Sequence, residues 1–160
     1  MYRSLLIITF ILMTLLLTGA PQTAWSAVDH DHNEPKKNES GLTLNNGKPW
    51  STDAPLRKGM EQIQIHIQEA LPRIHAGTQT NKQYATLAKK IHSHINTMIK
   101  QCKLPPDADA QLHVVLGEVI KGALTMQEQG GQASGAAKIV HALDLYGRHF
   151  DHAGWKPITH

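Results

Sequence analysis

Ser51-Thr52-Asp53-Ala54-Pro55-Leu56-Arg57-Lys58-Gly59-Met60-Glu61-Gln62-Ile63-Gln64-Ile65-His66-Ile67 is the stretch on which the reading of the chain turns. Ser51, Thr52 and Asp53 carry helix-capping side chains, and Pro55 suits a first helical turn. From Leu56 the apolar residues recur at Met60, Ile63, Ile67, Ala70 and Ile74. The steps alternate four and three, which brings these positions to one face of a helix packed in a bundle. Pro72 kinks the helix or closes its last turn, and Gly77 ends it.

Three further stripes follow. Tyr84, Leu87, Ile91, Ile95, Met98 and Cys102 mark a second helix from about Asn81 to Cys102, halted by Leu104-Pro105-Pro106. A third opens at Asp107-Ala108-Asp109, where two carboxylates suit the positive end of the helix dipole, and carries Leu112, Val115, Leu116, Val119, Ala123 and Met126. After Gly130-Gly131 a fourth runs from Ser134 to His152 on Ala136, Ile139, Val140, Leu143, Tyr146 and Phe150. No alternating run is long enough for a strand. The expectation is an all-α, antiparallel up-down-up-down four-helix bundle over residues 51–154, with a C-terminal tail over 155–160.

The start of the chain reads as export machinery. Leu5 to Leu17 is apolar except for Thr9 and Thr14, follows a weakly basic Met1-Tyr2-Arg3-Ser4, and precedes small residues at Ala24 and Ser26. This is the layout of a signal peptide over residues 1–26, cut after Ser26, with cutting after Ala27 or an uncleaved anchor as the alternatives. The run is short for a membrane span, so no span is expected after cleavage. Residues 27–50 read as a flexible polar tether, with Leu42 and Leu44 as the side chains able to touch the body. Localisation is then periplasmic or secreted. Loss of Arg3 lowers the net charge from +3 to +2, too mild to imply nucleic acid.

The side chains able to carry chemistry are unevenly spread. There are eleven histidines, the first at position 30, and one cysteine. Cys102 excludes an intrachain disulfide; in an oxidising compartment it is buried, a ligand, or the link of a homodimer. Up-down-up-down packing would bring the start of the first helix, the end of the second, the start of the third and the end of the fourth to one pole. Met60, Met98, Cys102, His113, Tyr146, His149 and His152 fall there, with His94 one turn deeper. Thioether, thiol and imidazole are the donor set of copper, and thioether with imidazole also serves haem iron. The opposite pole offers His75 but no sulfur from the first two helices. His149 and His152, three apart, suit a shared ion or a helix C-terminus. His66 reads as a packing or rim residue. In the tether, Asp29-His30-Asp31-His32 makes His30 and His32 a weak secondary metal site.

Ala54-Pro55-Leu56-Arg57-Lys58-Gly59-Met60-Glu61 and Leu145-Tyr146-Gly147-Arg148-His149 resemble the two ends of the soluble periplasmic b-type cytochromes, whose bundle is shared by the cytochromes of the c-prime type. The resemblance implies haem b held by Met60 and His149. There is no Cys-x-x-Cys-His, so covalent haem attachment is excluded.

Three functions remain open from the sequence. The first is an exported helical binding protein for a redox metal, copper foremost, through Met60, Met98, Cys102, His113 and His149. The second is an electron-carrying b-type cytochrome. The third is a cofactor-free helical chaperone or stress-sensor partner. An enzyme is not expected, because the chain has no glycine-rich phosphate loop, nucleophile elbow or His-Glu-x-x-His.

Overall fold

The computed structural model describes residues 41–159. The signal peptide, its cleavage point and the His30/His32 site lie outside the described residues.

The described chain is all-helical, with four helices: α1 (Ala54–His75), α2 (Asn81–Gln101), α3 (Pro106–Thr125) and α4 (Gln132–His149). Asp53 caps α1 by accepting the Leu56 N–H at 2.8 Å, with Pro55 in the first turn. Pro72 lies inside α1 without ending it; termination comes at Gly77, where φ is +65°. There the Thr78 N–H reaches the Arg73 carbonyl and the Gly77 N–H the Ile74 carbonyl, the double bond of a Schellman close. Thr80 and Gln83 form a reciprocal capping box that starts α2. α3 begins one residue before the expected Asp107, at Pro106, whose missing N–H costs nothing in a first turn.

α1 packs on α2, α2 on α3, α3 on α4 and α4 on α1. α3 and α4 approach closely. A Cβ on Gly122 would stand 2.7 Å from the Gly135 carbonyl oxygen, so these two backbones meet because neither residue has a side chain. The start of α1 meets the end of α2: Gly59 lies against the Met98 side chain, and the Asp53 carboxylate accepts the Lys103 N–H at 2.6 Å. Met60, Ile63, Ile67, Ile91, Ile95, Met98, Val115, Val119, Ile139 and Leu143 are among the residues that fill one core, each almost fully shielded. Burying a side chain of this size stabilises the fold by roughly 1.5–3 kcal/mol before chain entropy is counted.

Two segments differ from their expected roles. The described end of the tether, residues 41–50, is built onto the bundle. Leu42 is fully buried, Trp50 donates its indole N–H to the Thr43 carbonyl at 2.6 Å, and Asn46 and Gly47, both at positive φ, make a tight turn. At the other end α4 stops at His149, and Phe150 is extended (φ −122°, ψ 136°). The Trp50 N–H reaches the His149 carbonyl and the Asp151 N–H the Trp50 carbonyl, so the chain leaves the helix to pair with residue 50. His149 and His152 therefore do not share a helix face. Trp155 packs its ring edge-on to Tyr146 at 4.8 Å, and Gln64 bonds the Lys156 carbonyl, which ties the tail to the bundle.

Candidate metal site between two helix ends

The turn from α2 into α3 creates a cleft. Cys102 is the C-cap of α2, with an extended backbone (φ −65°, ψ 140°) that turns the chain outward. Pro105 and Pro106 then allow α3 to start only after the reversal. The resulting cavity has a volume of about 360 Å³ and is lined by Met98, Cys102, Leu104, Asp109, Leu112 and His113, among others. Met98 is buried, Cys102 half-buried and His113 exposed. Apolar walls thus lie at the floor and the imidazole at the mouth.

The electrostatics of the thiol are set by carboxylates. Burial pushes the Cys102 thiol up to about 12, and the Asp53 charge, a hydrogen bond to Asp53 and the Asp109 charge push in the same direction. Each effect penalises a bare thiolate. The same two carboxylates would favour a cation placed at the sulfur, which would take the place of the proton. The donor types and their charges fit a soft metal ion. His113 is positioned by Asp109 one turn earlier: its Nδ1 is 2.8 Å from the Asp109 carbonyl and 3.4 Å from a carboxylate oxygen. That leaves Nε2 for a ligand, as second-shell bonds to the other ring nitrogen commonly do.

Met98, Cys102 and His113 are thus brought to one cleft. Met60 and His149 are not among its lining residues. Met60 is fully buried in the apolar core. His149 is buried at the end of α4, its Nδ1 2.8 Å from the Leu145 carbonyl. Among the described residues, no group of three or more His, Cys, Asp or Glu side chains is placed to hold a metal ion. A site in the cleft would therefore need the Met98 thioether as a donor.

A second polar group at this pole was only half-read from sequence. Tyr146 is fully buried, and its hydroxyl is 2.9 Å from His152 Nδ1. The other His152 nitrogen lies 3.0 Å from the Glu61 carboxylate. The Tyr146 ring is stacked on Phe150. Burial raises the phenol above the ordinary tyrosine range; Arg57 opposes this, while Glu61, Cys102 and Asp53 add to it. The hydroxyl is fully enclosed. Glu61 gave no sign of its role in the sequence, because the loop that carries His152 back onto α1 has no periodicity to read.

A larger cavity, about 610 Å³, lies elsewhere and is lined by Leu71, Ile74, His75, Ala136, Val140 and His141 among others. It holds no sulfur, and its size does not make it the chemical site. No described helix is long and apolar enough to cross a membrane. No family model, curated protein or solved structure matches this chain.

Proposed function

We propose that this chain is an exported up-down-up-down bundle that binds a soft transition-metal ion as cargo, copper(I) foremost, at the α2–α3 turn. Met98, Cys102 and His113 are the donors, with Asp109 orienting His113. The reading is carried by one observation: a methionine, a cysteine and a histidine line the same cleft. Thioether and thiolate sulfur select copper(I), and imidazole accepts it too. The Asp53 and Asp109 carboxylates add negative charge beside the sulfur. Binding releases the thiol proton, so affinity rises with pH. The role is holding and delivering the ion, with no bond-making chemistry on a substrate.

Titration of the purified protein with copper(I) against a competing chelator tests this. One bound equivalent, lost in Cys102→Ser and weakened in Met98→Leu, is the expected result. Protein that leaves copper(I) with the chelator, or whose uptake is indifferent to both substitutions, overturns it. A red protein with a sharp Soret band would instead support haem b on Met60 and His149. Colourless, metal-indifferent protein that suppresses client aggregation would support the chaperone reading.

A further inference from the structure

His66 on α1 and His94 on α2 face each other across the helix pair, with ring centroids 5.3 Å apart and ring planes inclined by 33°. Both are partly shielded. His66 Nδ1 is buried and has no hydrogen-bond partner. The nearest carboxylate, Glu69, stands 3.6 Å from that nitrogen, beyond hydrogen-bond range. A buried imidazole nitrogen without a partner is destabilising, so a partner for it would be stabilising.

The spacing is compatible with a metal ion shared by the two rings. A zinc-class ion sits about 2.0–2.1 Å from a histidine nitrogen, hence roughly 3.2 Å from the ring centroid. Two such rings at a tetrahedral angle have centroids about 5.2 Å apart, close to the separation seen here. We propose that His66 and His94 form a cation site, separate from the Cys102 cleft, that takes a borderline divalent ion of the zinc class and clips α1 to α2. The described residues supply no third His, Cys, Asp or Glu in position, so the remaining ligands are water, with Glu69 the closest side chain able to join. The charged groups around the pair are Glu69 and Arg73 from α1 and Lys82 and Lys90 from α2, which line the same cavity as His66. Burial, His66 and Lys90 all hold the His94 imidazole below its usual range, which keeps its lone pair free near neutral pH.

The test uses the full chain with His30→Ala and His32→Ala in place, so that the N-terminal histidines do not compete. Zn²⁺ is titrated calorimetrically and the imidazole resonances of His66 and His94 are followed by NMR. The expected result is that Zn²⁺ shifts those two resonances, raises Tm, and binds about tenfold or more weakly in His66→Gln or His94→Gln. Cys102→Ser should leave this binding unchanged, which separates it from the copper(I) site. The surface substitution His141→Gln is the control. Zn²⁺ binding equal in both pair variants and the parent, or resonances of the pair that do not move, overturns the proposal. If a Gln variant fails to fold, the resonance shift in the parent decides.

Discussion

Tyr146 Oη and His152 Nδ1 lie 2.9 Å apart in the interior, although the two residues stand on opposite sides of a helix terminus. The bond is possible because α4 stops at His149 and the chain turns back through an extended Phe150. It is one link in a chain, since His152 also meets Glu61 of α1. Tyr146→Phe deletes the hydroxyl and leaves the His152 nitrogen buried and unpaired. The expected loss is roughly 1–3 kcal/mol. His152→Ala also removes ring contacts with Tyr146 and Trp155 and should cost about 2–4 kcal/mol. Urea midpoints at neutral pH measure both; a Tyr146→Phe midpoint equal to that of the parent would show that the bond contributes nothing.

The same enclosure makes the protein sensitive to alkali. The Tyr84 and Tyr146 phenols and the Cys102 thiol are all raised in the folded state, each first by burial. An acid whose folded value is raised keeps its proton in the fold after the unfolded chain has released it. Its stabilising effect is complete below the unfolded value and is lost as pH rises towards the folded one. The window opens near the ordinary values, about 8.5 for cysteine and about 10 for tyrosine. Unfolding followed by circular dichroism should therefore show stability falling steeply above about pH 10. Tyr146→Phe, though less stable at neutral pH, should show a shallower alkaline slope.

Helix crossings give a contrast between glycines. A Cβ on Gly59 would sit 2.2 Å from Met98 Cγ, so Gly59→Ala drives a core side chain out of place. Overpacking of this kind costs about 1–3 kcal/mol. Gly135→Ala should cost at least as much, because its Cβ would meet the Met126 backbone nitrogen at 2.5 Å and backbone yields less than a side chain. Gly117 has open space around it and lies within α3, so Gly117→Ala should stabilise by about 0.5–1 kcal/mol through helix propensity. Thermal midpoints of the three variants check the order; a destabilised Gly117→Ala would contradict it.

The stripes were legible because burial imposes a period: the Met60, Ile63, Ile67 and Ala70 pattern that marked the first helix is the face of α1 that is buried. Cys102, Met98 and His113 could be brought together from sequence because they lie within about two turns of a helix reversal that prolines announce. The fate of Met60 was not legible, since a methionine on the apolar stripe looks the same as core or as ligand until its neighbours are known. His149 stands in the last turn of α4, but the helix does not reach His152, because helix ends are set by tertiary pairing, here Trp50 with the residues after α4, and not by local preference. The pairing of His66 with His94 was open to sequence reasoning in principle. Once Gly59 of α1 sits beside Met98 of α2, residue 66 falls near residue 94, but the register itself needed the structure.

Cys102 gives the sharpest test of the site's electrostatics. With its thiol pushed up to about 12, the thiolate fraction near pH 8 is about a thousandfold below that of an ordinary cysteine. A more basic thiolate is intrinsically more nucleophilic, with a Brønsted slope of about 0.4–0.5, which returns part of that factor. Reaction with a disulfide reagent at pH 8 should therefore be about thirtyfold slower than for a free thiol. Asp53→Asn keeps the helix cap, because asparagine caps as well as aspartate, but removes the charge beside the sulfur and gives up the Lys103 N–H bond to the second oxygen. It should speed the reaction and, by removing negative charge, weaken copper(I) at the same site. Met60→Leu should change neither, because Met60 is enclosed in the core away from the cleft lining. If Met60→Leu abolished copper(I) binding while Asp53→Asn had no effect, the ion would lie deeper in the bundle and the α2–α3 cleft would not be its site.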